Sequence, residues 1–306
     1  MTSETWPQRT EPPARVVAAR VGLLARLREI WASRELLWFL VRKELKVRYK
    51  NSVLGFLWSF LNPALVLLIY YVVFKYFLHN PTPDFALFLF SGLLAWNLFN
   101  NSLLSASGVL VAHAGIVKKV AFPREVLALS QVGVSICYFF FQTCILVVFL
   151  AGFQVLPDFH YLPILLLALV GDILLSAALA VFLSAVNVYL RDVQHFVEVL
   201  LIALFFSPPI VYSFAGLHLT HLRDLYMANP LVWIVLSFQR CLYGRVLAPG
   251  HTQRVSQGIT VGSPLPNWGP GTYLAGLAVV VVVSLVLFFV AMLIFGRVEG
   301  NFAEEL

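Results

Sequence analysis

Apolar residues gather into six stretches long enough to cross a bilayer, at 53–78, 85–110, 127–153, 162–190, 196–214 and 273–295. Roughly 20 apolar residues let a helix span the hydrocarbon core, so the pattern predicts an all-α polytopic membrane protein with six transmembrane helices. Just before the first stretch the pattern changes. In LLWFLVRKELKVRYK (36–50), Trp38, Val41, Leu45 and Tyr49 recur at three- and four-residue spacing, flanked by Arg42, Lys43, Lys46, Arg48 and Lys50. An apolar stripe bordered by cations predicts an N-terminal amphipathic interface helix over 34–52, lying in the headgroup plane. Arg42, Lys46 and Lys50 stand four apart and repel one another, so the helix calls for phosphate opposite them, from lipid or from a substrate.

The segment 215–272 departs from the spanning pattern. Within it NPLVWIVLSFQRCLYG (229–244) opens on an Asn cap with Pro at the first helical position, is too short to cross, and contains Arg240. These features predict a short re-entrant or interfacial helix between spans five and six. Pro208 and Pro209 predict a break near the end of the fifth stretch, its freed carbonyls buried in protein or facing water. The Pro- and Gly-rich piece 249–271 reads as an external loop.

Composition agrees with a bilayer. Hydrophobic residues make up 60% of the chain and charged ones 12%, with a mean hydropathy of +0.86. The 306 residues leave no room for a large soluble domain beside the spans, so any soluble machinery belongs to another chain. Eleven Lys and Arg precede the first stretch, three follow the second at Lys118, Lys119 and Arg124, and one each stands at Arg191 and Arg297. The loops around 81–84 and 157–160 carry Asp and neither Lys nor Arg. Sixteen of 21 basic residues therefore fall on one side, which predicts both termini in the cytoplasm, with 1–33 and 297–306 as tails around a membrane domain of 53–296. The first thirty residues lack an apolar signal core, which predicts an uncleaved N-terminus. The pI near 9.3 reflects this orientation rule rather than nucleic-acid binding.

The search for chemistry mostly excludes. No G-x-x-x-x-G-K-[ST] or H-E-x-x-H occurs, and Cys137, Cys144 and Cys241 have neither ligand nor disulfide spacing. His218 and His221 are three apart without an acidic or Cys partner nearby, so no metal site is expected. A membrane glycosyltransferase or phosphotransferase would need acidic residues clustered at a membrane face, and the carboxylates here are scattered. Asp172, deep in a span, is open either to a functional role or to a hydrogen-bonded helix or subunit contact. In the first stretch Phe56, Phe60, Tyr70, Tyr71 and Phe74 share about a third of the helix circumference. Such an aromatic stripe serves helix packing, lipid contact or stacking on sugar rings.

Four motifs in order, RYKNSVLGFLWSFLNP (48–63), KKVAFPREVLALS (118–130), NVYLRDVQHFVEVLL (187–201) and NPLVWIVLSFQRCLYG (229–244), resemble the successive signatures of ABC-2 type polysaccharide export permeases. These are the transmembrane subunits that export O-antigen, teichoic acid and related glycans; only the N-terminal tail lacks a counterpart. The resemblance implies a homodimer that forms a channel and binds two copies of a separate ABC ATPase. ATP and Mg would sit on that partner, none in this chain, and the cargo would be a polyprenyl diphosphate-linked polysaccharide. It further implies that Arg42, Lys43, Lys46, Arg48 and Lys50 receive the anionic head group, Arg48 and Lys50 foremost, or anchor on anionic lipid. Phe56, Phe60, Tyr70, Tyr71 and Phe74 would line the channel. The turn with Lys118, Lys119, Phe122, Pro123, Arg124 and Glu125 would couple to the ATPase, with Phe122 as an apolar knob amid exposed charge. Asn229, Pro230, Trp233 and Arg240 would form an outer gate. An ABC-2 exporter of small amphiphiles would share the topology; the basic helix and the aromatic stripe favour a glycan. Arg outnumbers Lys 15 to 6, a composition that keeps an actinobacterial galactan among the cargoes.

Overall fold

The computed structural model describes residues 22–48, 50, 52, 54–78, 82, 84–120, 122–214, 223–244 and 264–306, and among them all regular structure is helical. In chain order the helices are α1 (Leu23–Ala32), α2 (Arg34–Arg48), α3 (Trp58–Val72), α4 (Phe85–Ser107), α5 (Val109–Ala112), α6 (Ala114–Val117) and α7 (Glu125–Gly152). They continue as α8 (Leu162–Tyr189), α9 (Val193–Phe205), α10 (Arg223–Met227), α11 (Pro230–Leu242), α12 (Pro270–Val298) and α13 (Phe302–Glu305).

Four segments are long and apolar enough to cross a membrane: Phe85–Ser107, Glu125–Gly152, Phe159–Tyr189 and Pro270–Asn301. They coincide with the second, third, fourth and sixth predicted stretches. The first and fifth stretches form differently. The first is helical from Gly55 to Phe77 but changes pitch twice, a 3₁₀ turn (Gly55–Leu57) leading into α3 and a π turn (Val73–Phe77) following it. Pro63 inside α3 removes one backbone donor. The fifth stretch, expected as a span over 196–214, is helical only in α9 and leaves the helix at Phe205. Its 13 residues reach about 20 Å, short of the roughly 30 Å hydrocarbon core. The run Ser207-Pro208-Pro209 explains the early stop: neither proline can donate to the helical ladder, and Ser207 precedes one.

The core is organised around α4. Every residue from Phe85 to Trp96 is buried, because α3, α7, α8, α9 and α11 all pack on this helix. The most extensive pairing is α12 on α8. The buried residues of α11, including Leu231, Val232, Ile234, Val235 and Phe238, lie in the same apolar core as α4.

Near the N-terminus the structure adds an element. The chain expected as a tail up to residue 33 contains α1, whose Leu23 and Ile30 pack on the second apolar cluster around Leu40, Val126 and Phe295. Ten residues are too few to stand alone in water, so tertiary contacts hold this helix. Next, α2 packs along α7, with Val41 buried against Val134 and Tyr138. The fit depends on Gly133: a Cβ there would stand 2.7 Å from Val41 Cγ2. Of the predicted stripe, Val41 is buried and Leu45 half-buried, whereas Trp38 is 49% exposed beneath the Arg42 guanidinium. The α2 face with Val41 therefore meets protein; Tyr49 lies outside the described residues.

A side chain at position 133 must push α2 away from α7. Gly133→Val is expected to cost about 1–3 kcal/mol by overpacking, read as a lower unfolding midpoint in detergent, and Val41→Ala in the same chain is expected to restore part of the loss.

Candidate functional site

The two ends of the bundle hold different chemistry, separated by helices such as α7 and α8 of 28 residues, about 42 Å each. At one end α1, α2, the turn before α7 and the last residues of the chain meet. At the other, α11 packs against the turn that begins α8.

At the first end the expected coupling turn splits into exposed and buried parts. Lys118, Lys119 and Val120 are exposed; Phe122, Pro123 and Arg124 are half-buried. Phe122 is not a free knob, since it packs on the cluster of Leu40, Val117 and Phe295. Glu125, read from the sequence as part of an exposed coupling turn, is fully buried. It pairs with Arg26 of α1, and Arg26 also pairs with Glu299 after α12. The Arg26 guanidinium fits there because residue 296 is Gly, against which its Nη1 lies. Burial alone would lower the Arg26 pKa, but Glu125 and Glu299 outweigh it and hold the guanidinium above its ordinary value. Arg124 Nη1 donates to the Glu299 carbonyl and its guanidinium faces the Phe302 ring at 5.7 Å. Tyr189 at the end of α8 donates to the Val298 carbonyl (2.8 Å). Four segments distant in sequence are thus tied into one unit.

The basic face of α2 is unevenly available. Arg42, Lys46, Arg48 and Lys50 are exposed. Arg48 faces the Tyr138 ring at 4.8 Å and Arg42 the Trp38 ring at 4.9 Å. Lys43 is half-buried and turned inward: its ammonium donates to His113 Nε2 (3.1 Å), leaving Nδ1–H for the Val109 carbonyl (3.0 Å).

The aromatic stripe of α3 lies against neighbouring helices. Phe60 meets Phe141 at 5.2 Å, Tyr71 meets Phe153 at 5.9 Å, and Phe74 meets Phe85 at 4.4 Å, while Tyr70 stands 6.2 Å from Phe74. The Phe56 side chain, like His218 and His221, lies outside the described residues.

At the other end α11 begins as the sequence predicts, with the Asn229 side chain accepting from Leu231 N–H (3.0 Å) and Pro230 at the first position. Asn229 Nδ2 donates to Ser207 Oγ, and Trp233 Nε1 donates to the Met227 carbonyl (2.8 Å). Backbone carbonyls beside the Pro208-Pro209 break are met by protein. Gln239 Nε2 donates to the Pro209 carbonyl (2.9 Å), and the Tyr212 hydroxyl lies 3.0 Å from the carbonyls of both Phe206 and Ser207. Arg240 is 8% exposed, donates to the Tyr161 hydroxyl (3.3 Å) and faces that ring at 4.8 Å. No carboxylate among the described residues pairs with it. Sequence reading selected Arg240 and Asn229 but missed Tyr161, Gln239, Arg26 and Glu299, whose roles depend on contacts across 30 to 273 residues. Asp172 and Ser176 are buried in α8, as is Ser284 in α12, and their side-chain oxygens have no hydrogen-bond partner among the described residues. No group of three or more His, Cys, Asp or Glu stands together among the described residues.

A family model described as "ABC-2 type transporter" matches residues 35–243. The chain is 35% identical over 218 residues to the O-antigen export system permease protein RfbA of Myxococcus xanthus, covering 71% of this chain and 84% of that protein. It is 32% identical over 213 residues to the protein of the same name from Klebsiella pneumoniae, covering 70% and 82%. The polysialic acid transport protein KpsM of Escherichia coli is 26% identical over 225 residues, covering 72% and 82%.

Removing the donor that meets the Pro209 carbonyl tests the packing of the broken segment. Gln239→Leu is expected to lose about 1–3 kcal/mol, the cost of a stranded buried acceptor, seen as a lower thermal midpoint of the detergent-solubilised protein.

Proposed function

The chain belongs to the ABC-2 type transporter family, and from that premise we propose that it is the permease subunit of an ATP-driven polysaccharide exporter. The similarity to O-antigen export permeases over 71% of the chain carries this reading, and the resemblance of KpsM, named for polysialic acid transport, supports the same broad cargo. In this reading the cargo is a polyprenyl diphosphate-linked glycan of O-antigen, teichoic acid or galactan type. Two copies of the chain enclose the path, and two copies of a separate ATPase, holding ATP and Mg, drive it. The protein resides in the bacterial cytoplasmic membrane with both termini inside, as the placement of sixteen of its 21 basic residues argues.

The parts of the cargo find matching chemistry. Exposed Arg42, Lys46, Arg48 and Lys50 suit a diphosphate at headgroup level. The α3 aromatics offer stacking faces that tolerate different hydroxyl patterns, provided that their rings leave their present neighbours as the path opens. The first and fifth stretches supply the fifth and sixth crossings together with their irregular extensions. The unit at the turn before α7 receives the push of the ATPase, and α11, buried against α4, α8 and α12, closes the outer side until the glycan is driven through.

Depleting the protein in its native cell is expected to trap one polyprenyl diphosphate glycan on the cytoplasmic side, detected among extracted lipid-linked glycans. Heightened sensitivity to small amphiphiles with no trapped glycan would replace this reading with an exporter of such compounds. Replacing both Arg48 and Lys50 by Gln is expected to trap the same glycan partially at unchanged protein level, since each cation near the surface contributes about 1 kcal/mol of attraction to phosphate.

A further inference from the structure

Beside the buried Arg26–Glu125 pair opens a cavity of about 530 Å³, lined by α1, by the turn preceding α7 and by the residues following α12. Its charges do not balance. Glu29, Glu125 and Glu299 line it against Arg26 and Arg124, which leaves one negative charge in excess. Arg26 is fully engaged by Glu125 and Glu299, and Arg124 is directed to a backbone carbonyl and the Phe302 ring. The second carboxylate oxygen of Glu125, Oε2, has no hydrogen-bond partner among the described residues although the residue is fully buried. A buried carboxylate oxygen left unmet is costly, and the cost is recovered when a charged donor arrives.

We propose that this cavity is a socket for a basic side chain, Lys or Arg, presented by the ATPase, with Glu125 as its floor and Glu29 at its rim. The proposal rests on the exporter reading for the identity of the partner. The excess negative charge calls for a cation, and the volume suits a long side chain with its hydration rather than a bare ion, which would need several oxygens converging on one point. The socket is lined in part by Val120, Phe122 and Pro123 of the coupling turn, which follow exposed Lys118 and Lys119 in sequence. The arrangement makes Glu125 a two-sided group: Oε1 ties α1 to α7 through Arg26, and Oε2 receives the partner. A cation entering from the ATPase would then bear at once on α1, on the start of α7 and on the end of α12, because Arg26 joins all three.

The test uses the affinity-tagged full-length chain purified in detergent from its own cells, reading the ATPase retained as salt is raised. Wild type is expected to retain the ATPase, and Glu125→Gln to weaken retention at least tenfold, as loss of one partner of a buried charge pair does. Arg26→Lys, which keeps a cation between Glu125 and Glu299, is expected to keep the ATPase. Where Glu125→Gln does not fold, Glu29→Lys at the exposed rim reads the same socket through a several-fold loss. Unchanged retention in Glu125→Gln overturns the proposal, as does unchanged retention in Glu29→Lys. Equal losses in Glu125→Gln and Arg26→Lys also overturn it, since they would mark the pair as an internal brace alone. A wild-type chain that brings down no ATPase overturns the exporter reading, and the socket with it.

Discussion

In apolar surroundings every backbone polar group must be met from within the protein, and this constraint governs where the chain can depart from a helix. Four helices satisfy it by their own ladders and run unbroken through the bundle. The two departures each draw on side chains or pitch changes. After α9 the Pro208-Pro209 break survives because Gln239 of α11 and Tyr212 meet backbone carbonyls beside it. At the end of α3 the π turn lets the ladder continue with altered register, Leu78 N–H reaching the Val73 carbonyl at 2.9 Å. Burial of α11 in the core is thus coupled to the break in the fifth stretch: remove one, and the other loses its partner.

Much of this architecture is legible in the sequence because it depends on periodicity and local chemistry. The four complete spans, the Asn229–Pro230 helix start and the proline break all follow from signals within a few residues. The parts that were not legible depend on distant contacts. Nothing local announces that Arg26 belongs with Glu125, 99 residues on, so α1 reads as tail and Glu125 as one residue of the coupling turn. The basic face of α2 is legible as a face, but the inward turn of Lys43 depends on His113, which the sequence puts 70 residues away. The aromatic residues of the first stretch are read as one face from their angles, while the neighbours of Phe60 on α7 and of Phe74 on α4 come only from packing.

The helices fall into two kinds. α4 is enclosed on nearly all sides, and α8 and α12 bind each other along most of their length. By contrast α3 and α9 present broad apolar faces outward: Ile69 and Phe77 are 59% and 74% exposed in the first stretch, Phe196 and Ile202 65% and 68% in the fifth. Such faces require lipid or protein against them. In the exporter reading these same elements border the path between two copies, so the parts least committed to the subunit's own core are those asked to separate during transport.

The two ends of the bundle are also held by interactions of different strength. At the end that holds α1 a buried guanidinium bridges two carboxylates, and removing one partner of such a pair is strongly destabilising because the other stays buried and charged. At the far end the buried Arg240 is met by the ring and hydroxyl of Tyr161 instead of an acid. A cation–π contact is worth about 0.5–2 kcal/mol and leaves no stranded carboxylate when it parts. The guanidinium needs only another acceptor, such as water or an anionic cargo, to be satisfied again. In the exporter reading this asymmetry suits a machine driven from one end: the end that would receive force is braced across four chain segments, and the end that would open is fastened by a contact that can be exchanged.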